Sequence, residues 1–359
     1  HRKRANYEEN GLEGVLDRRI GNSPPNKISS DRISQILSLR KESPDYNLQH
    51  LHEELSKNQE INESYSSFRR IVMMGGMYKI GRKPRKKYRK RRKPRPQTGM
   101  MIHQDGSTHN WLPNTKQKHD LIITMDDANN EIYSAFLCNE EGTFSSFRGI
   151  QDVINKKGLF TSFYVDRGSH YGHTSKAGER VDLSKPTQVA RALKRLDIHI
   201  IYSRCPQGRG RSERMFKTWQ GRLPQELAKN NIQSMEQANI YIKEIFLPKM
   251  NKRFIRKASN AESGFITYVG RPIEEMLCIQ EERVVNHDNT VSYKNKILQI
   301  AESKYEDHYV KSRVMVHEYE DGTLEVYYGP RRLARFIGEA KHYIHPETKS
   351  NNRKSINIE

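Results

Sequence analysis

Residues 121–138 read LIITMDDANNEIYSAFLC. The apolar-rich run Leu121–Met125 stops at Asp126–Asp127–Ala128–Asn129–Asn130 and resumes as Glu131–Cys138. Strand-forming residues interrupted by Asp and Asn predict two antiparallel strands joined by a turn, with Asp126 and Asp127 as turn-formers. Working backward, Met100–His103 leads into Gln104–Asp105–Gly106 as a preceding strand. Working forward, Phe144–Asn155 has helical spacing, and Leu159–Val165 reads as a buried strand running straight into Asp166. Thr187–Leu196 is helical and His199–Tyr202 is another short apolar strand. Pro206–Gln207–Gly208 then opens a helix running to about Arg222 and stopped by Pro224. The order is three antiparallel strands followed by alternating helix and strand.

That is the order of an α/β RNase H-like fold, with a mixed five-stranded sheet covered by helices. Asp105 falls on its first, central strand and Asp166 at the carboxyl end of the fourth. These strands are neighbours, so the two acids converge. Glu213 is expected about two turns into the closing helix. There Met215, Trp219 and Leu223 recur every four residues and form the core stripe with Phe216, and Trp219 is assigned to the core. Glu213 is turned about 200° from Met215, off that stripe and toward the strand acids. Arg209, Arg211, Arg214 and Lys217 surround it on the solvent side.

Three converging carboxylates repel one another and raise one another's pKa. A divalent cation relieves this, and a dense set of hard oxygen donors suits Mg²⁺ or Mn²⁺. Two such ions about 3.5–4 Å apart suit phosphodiester displacement, and the flanking arginines suit phosphates. His103, His109 and His170 flank the acids, with His109 and His170 as candidate accessory groups. Trp111 and Tyr171 are open to two readings, base stacking or core packing.

The chain of 359 residues carries 63 basic and 43 acidic side chains, a formal net charge of +20. Aromatic content of 9% argues against wholesale disorder. No stretch approaches the roughly 18 apolar residues of a membrane span, and no signal-peptide pattern opens the chain. Cys138, Cys205 and Cys278 are too dispersed for a disulfide framework or a zinc site. An excess of this sign points to nucleic acid as partner.

Residues 82–95, RKPRKKYRKRRKPR, hold 11 basic and no acidic side chains, against 13 and 11 in residues 1–81. Like charges and prolines oppose both helix and packed core, and the run extended would reach about 40 Å at ~3.1 Å per residue. We read it as a tether along a phosphate backbone, with Arg82, Lys83, Arg85, Lys86, Lys87, Arg89, Lys90, Arg91 and Arg92 as DNA contacts.

Upstream, residues 1–10 read as the tail of a helix with Gly11 as a stop. Asn22–Pro25 is a break, and three short helices follow. Ser29 or Ser30 caps the first, which runs to about Arg40. Tyr46, Leu48, Leu51 and Leu55 mark the second, and Tyr65, Phe68, Ile71 and Val72 the third, ended by Gly75–Gly76. This pattern fits a helix-turn-helix or winged-helix module, with Ser66, Arg69 and Arg70 among its plausible DNA contacts. Downstream, Thr290–Ile300, Val314–Tyr319, Thr323–Tyr328 and Arg331–Ile337 read as strands, with Glu320–Asp321–Gly322 a hairpin turn. They suggest a small antiparallel β-barrel.

The acids sit in Gln-Asp-Gly-Ser-Thr-His-Asn-Trp (104–111), Tyr-Val-Asp-Arg-Gly-Ser (164–169) and Cys-Pro-Gln-Gly-Arg-Gly-Arg-Ser-Glu-Arg (205–214). These contexts resemble the integrase catalytic core shared by retroviral integrases and insertion-sequence transposases, most of all the ISNCY-type group. The resemblance implies that Asp105, Asp166 and Glu213 are the catalytic, metal-binding acids of a DDE-type transposase. Such an enzyme cleaves DNA at transposon ends and joins 3′-ends to target DNA with two divalent ions. It also implies terminal inverted repeats and target DNA as partners, self-association as a dimer or larger assembly on DNA, no membrane partner, and a cytoplasmic, nucleoid-associated location. Tyr7–Ile20 is similar to the segment after a first helix-turn-helix in these proteins. Two departures stand out. The 46 residues between Asp166 and Glu213 exceed the retroviral spacing, and Asp166–Arg167–Gly168 stands where many integrases have Asp-Asn-Gly.

The expected organisation is therefore a linker at 1–25 after an upstream helix-turn-helix, a DNA-binding module at 26–78, a basic linker at 79–97, the RNase H-like core with C-terminal helices at 98–260, a linker at 261–284, the barrel at 285–345 and a disordered tail at 346–359. Two alternative readings are a non-catalytic DNA-binding protein derived from a transposase and a phage or retroelement integrase.

Overall fold

The structure, a computed structural model, describes residues 2–16, 27–78, 92–113, 115–174, 181–203, 210–302, 306–337 and 343–344. Most of the basic run, the segment 204–209 and the tail from 345 lie outside the described residues. The chain divides into two units, 1–89 and 90–359.

The first unit is helical. Helix α1 (Arg2–Val15) breaks at Gly11, whose φ of 59° and ψ of −147° are open to glycine and costly for other residues. Helices α2 (Ser30–Glu42), α3 (Leu48–Lys57) and α4 (Tyr65–Met74) each begin with a side chain that accepts a backbone N–H. Ser29 takes that of Arg32, Asn47 that of His50 and Ser64 that of Ser67. Ile36, Leu48, Leu51, Leu55, Ile61, Phe68, Ile71 and Val72 close one core among the three. The three-helix module agrees with the sequence reading.

The second unit is built on a five-stranded mixed sheet, β1 (Ile102–His109), β2 (His119–Asp126), β3 (Ile132–Cys138), β4 (Ser162–Val165) and β5 (His199–Tyr202), in the order β3-β2-β1-β4-β5. The pairs β1–β2 and β2–β3 are antiparallel, and β1–β4 and β4–β5 are parallel. Helices α5 (Thr143–Lys157) and α6 (Gln188–Arg195) bury one face with Phe147, Ile150, Val153, Val189 and Leu193 against Ile102, Phe163 and Val165. Helices α7 (Ser212–Gln220), α8 (Leu223–Lys229), α9 (Met235–Tyr241) and α10 (Leu247–Phe254), the last two joined by a π-helical turn at Ile242–Phe246, bury the other, with Trp219, Leu223, Ile242 and Phe246 against Leu121, Ile123 and Met125. Mixed topology places β1 at the centre, where chemistry on it is flanked from both sides.

Two local expectations need correction. Pro224 does not end a helix: it sits in the first turn of α8, where a missing N–H costs nothing. Helix α7 starts only at Ser212, so Glu213 lies in its first turn rather than two turns in. Gly210 just upstream is a poor helix former, and the Pro206–Gly208 start lies outside the described residues.

After the short helix α11 (Ile273–Met276), the chain forms β6 (Ile279–Val284), β7 (Thr290–Tyr293), β8 (Lys296–Gln299), β9 (Arg313–Glu318), β10 (Leu324–Tyr328), β11 (Arg331–Phe336) and β12 (Tyr343–Ile344). Five of these make a sheet ordered β12-β11-β10-β9-β6, and β7–β8 form a separate pair. The expected barrel is not closed: β6 and β12 are free edges of the described sheet. Thr290–Ile300 is a hairpin rather than one strand, turned at Lys294, whose φ is 52°. Strand β6 falls in the stretch 261–284 read as linker, because its alternation is short and its partner β9 lies about 30 residues away. The turn at Glu320–Gly322 is as expected, with Gly322 at φ 79°.

Candidate active site

Strands β1 and β4 pair in parallel as Ile102↔Phe163 and His103↔Tyr164. Carried two positions further, the same offset sets Asp105 level with Asp166, just beyond the end of β4. Adjacent strands lie about 4.8 Å apart. Ile102 and Phe163 pack toward α5 and α6, and side chains alternate along a strand, so the third residue on from each faces the α7 side. Ile123, the register partner of Asp105, belongs to the α7 core. Asp105 is buried. The Gly168 amide donates to Asp166 Oδ1 at 2.7 Å, folding the chain back immediately after the strand.

Helix α7 runs beside β1 in the same direction. At its start Arg211 reaches Asp127, which in turn holds His103 of β1. At its end Gln220 Nε2 donates to Ser107 Oγ at 3.2 Å. Nine helical steps and four strand steps both span about 13 Å, so the two anchors are mutually consistent. Glu213 lies between them and is exposed. The structure thus brings Asp105 and Asp166 together and sets Glu213 on the helix covering the same face. The oxygens of the three carboxylates do not all lie within 4.8 Å of one another. As donors, three carboxylates match what Mg²⁺ or Mn²⁺ requires, with the exposed Glu213 side chain the one that would have to close.

A fourth acid lies at Gly106, on the α5 side of β1. Glu141, in the loop before α5, is fixed by its amide, which donates to Asp120 Oδ2 at 2.8 Å. A Cβ at position 106 would stand 2.3 Å from Glu141 Oε2, so the glycine after Asp105 is what admits this carboxylate. Tyr171 Oη donates to Gln104 Oε1 at 2.8 Å and lies 3.4 Å from Glu141 Oε1. Burial, then Glu141, Asp166 and Asp105, push the Tyr171 hydroxyl well above its ordinary pKa. His170 Nε2 stands 3.5 Å from Glu141 Oε1, and its ring adjoins the Asp166 carboxylate across Gly168. The sequence reading missed Glu141; the Asp105–Gly106 pair was the available signal.

Asp126 and Asp127 behave differently from each other. Asp126 is a turn-former: its Oδ1 accepts the Ala128 amide at 2.7 Å, its Oδ2 accepts the Gly99 amide at 2.8 Å, and burial raises its pKa. Asp127, fully buried, is a hub. It accepts Arg92 Nη2 at 2.5 Å, the Arg95 amide at 2.7 Å, His103 Nε2 at 2.8 Å and Arg211 Nη1 at 2.6 Å. Burial pushes its pKa up, but the bonds from His103 and Arg92 outweigh this and hold it well below the usual carboxylate range. Burial lowers the pKa of His103, and its Nε2–H donates to the carboxylate, which can only accept.

The remaining candidates sort by position. His109 packs edge-on against Trp111, with ring centroids 5.1 Å apart. Trp111 and Tyr171 are fully buried, which decides for core packing over base stacking, and Trp219 is fully buried as expected. Arg211 turns inward to Asp127 rather than to solvent, joining Arg92 and His103 on that buried carboxylate. Arg214 and Lys217 are exposed on α7. Ser66 and Arg70 are exposed on α4, and Arg69 lies 5.9 Å from the Tyr78 ring centroid. Of the candidate contacts in the basic run Arg92 is described; Arg82, Lys83, Arg85, Lys86, Lys87, Arg89, Lys90, Arg91 and also Arg209 lie outside the described residues.

Residues 1–72 match the family model described as a homeodomain-like domain. Over 396 aligned residues the chain is 23% identical to the transposase for insertion sequence IS1202 of Streptococcus pneumoniae, covering 98% of this chain and 83% of that one. The chain is similar to insertion-sequence transposases. A second such relative is the putative transposase y4bF of Sinorhizobium fredii, 24% identical over 322 residues, 88% of this chain and 69% of that one. Among solved structures, the simian T-cell lymphotropic virus intasome in complex with PP2A regulatory subunit B56 gamma aligns over 88% of this chain and 100% of that chain at 11% identity and a TM-score of 0.36. The HTLV-2 integrase catalytic core domain in complex with magnesium aligns over 41% of this chain and 85% of that one, at 14% identity and a TM-score of 0.31. No helix among the described residues is long and apolar enough to cross a membrane.

Proposed function

We propose that the chain is a DNA transposase that binds the ends of its element, cleaves phosphodiester bonds there and joins 3′-ends to target DNA. The observation that carries this reading is the shared level of Asp105 and Asp166 on neighbouring strands, in a chain similar to transposases along nearly its whole length. Asp105, Asp166 and Glu213 would hold the divalent ions. Those ions supply Lewis acidity and charge neutralisation for phosphodiester displacement. Arg214 and Lys217 on the exposed side of α7 bind phosphates, and the basic run at 82–95 carries sequence-independent affinity. Helix α4, with Ser66 and Arg70 exposed, reads element ends. Two ends processed together call for a dimer or larger assembly on DNA.

The test is a duplex bearing one element end, incubated with the chain and Mg²⁺ or Mn²⁺. Cleavage is expected to require the metal and to fall more than about a hundredfold in Asp105→Asn, Asp166→Asn and Glu213→Gln. The exposure of Glu213 favours one second reading, a non-catalytic DNA-binding protein. Specific binding of the end with no cleavage in either metal decides for it.

A further inference from the structure

We propose that Asp127 is a positioning residue that sets Glu213 through Arg211. This deepens the transposase reading and rests on it. Arg211 is the residue immediately before α7, and Glu213 stands in the helix's first turn. No side chain caps that helix start through a hydrogen bond. The guanidinium of Arg211 anchors it, donating to both the backbone carbonyl and the carboxylate of Asp127. The same carboxylate accepts the imidazole of His103, two residues before Asp105 on β1. One buried oxygen pair therefore ties the helix bearing one acid to the strand bearing another. It also holds Arg92 and the Arg95 amide, the end of the basic run. This ion pair ties the start of α7 to the strand, and with it the acid two residues on; without the pair that first turn is freer to shift.

The expected consequence is specific to Glu213. Loss of an outer partner that orients a metal ligand typically weakens metal affinity about 10- to 100-fold. Mn²⁺ binding to the full chain, measured by electron paramagnetic resonance, tests this without catalysis. Asp127→Asn leaves several buried donors with a weaker acceptor and is prone to misfold, so Arg211→Gln carries the test, with a thermal melt to establish folding. Arg211→Gln is expected to weaken Mn²⁺ binding about as much as Glu213→Gln, and Arg211→Lys to recover part of the loss. The double variant Arg211→Gln/Glu213→Gln is expected to bind no more weakly than Glu213→Gln alone, because the arginine acts only through that acid. Parent-like Mn²⁺ affinity in folded Arg211→Gln, or losses that add in the double variant, would overturn the proposal while leaving the transposase reading intact. Parent-like affinity in Asp166→Asn and Glu213→Gln would overturn both.

Discussion

His317 stacks on Tyr327 at 4.4 Å, and its Nδ1 has no hydrogen-bond partner. Burial first, then the charge of Arg191, lowers its pKa from 6.5 to about 4. The unfolded chain takes up a proton at this residue near pH 6.5, whereas the folded chain waits until about pH 4. Stability contributed by neutral His317 is therefore complete above pH 6.5 and is lost as pH falls from 6.5 toward 4. Urea midpoints measured across that window are expected to fall less steeply in His317→Gln than in the parent; equal slopes contradict the assignment. At this scale the sequence was partly legible. Asp105 and Asp166 stood out because each interrupts or ends an apolar strand, and register alone then sets them level. Asp127 did not, because its partners lie 24, 35 and 84 residues away and nothing local distinguishes it from Asp126. Glu141 did not either, because its role depends on a loop folding over Gly106.

Helix α5 packs close to the sheet at Gly149. A Cβ there would meet Gln104 Nε2 at 2.0 Å and Thr124 Oγ1 at 2.6 Å, atoms that are hydrogen-bonded to each other at 2.8 Å. Gly149→Ala is expected to cost about 1–3 kcal/mol by overpacking, read as a lowered urea midpoint. On the opposite face Trp219 is fully buried, 4.8 Å edge-on to Phe246, and Trp219→Ala is expected to cost about 3–5 kcal/mol. A midpoint within error of the parent in either variant contradicts the packing described. The helices and strands of the core were legible because their apolar periods are long. The C-terminal sheet was misread where periods are short. Four-residue strands β7 and β8 merged into one in the reading, and β6 was lost because its partner comes after the hairpin. Barrel closure is a property of edge pairing, which alternation along a single strand does not encode.

Across the whole molecule, charge is segregated by task. Residues 105–213 hold 15 basic and 13 acidic side chains, nearly balanced, whereas 82–95 supply 11 of the 63 basic residues and no acid. The largest cluster of positive charge thus lies outside the stretch that holds the three candidate acids. Replacing the lysines and arginines of 82–91 by glutamine is expected to weaken binding to DNA of any sequence. It should also flatten the plot of log affinity against log salt, by roughly 0.9 for each phosphate no longer neutralised. An unchanged slope in fluorescence anisotropy would show that the run only connects. Arg92 is left in place in that variant because it is bound to Asp127.

Asp105 and Asp166 are proposed as the metal-holding pair of a DNA-cutting site. Single-turnover cleavage of an end-bearing duplex by Asp166→Asn, with Mg²⁺ present and DNA binding measured in the same sample, addresses it most directly. Parent-like binding is expected, with cleavage reduced more than about a hundredfold. Cleavage at the parent rate by Asp166→Asn would contradict the claim.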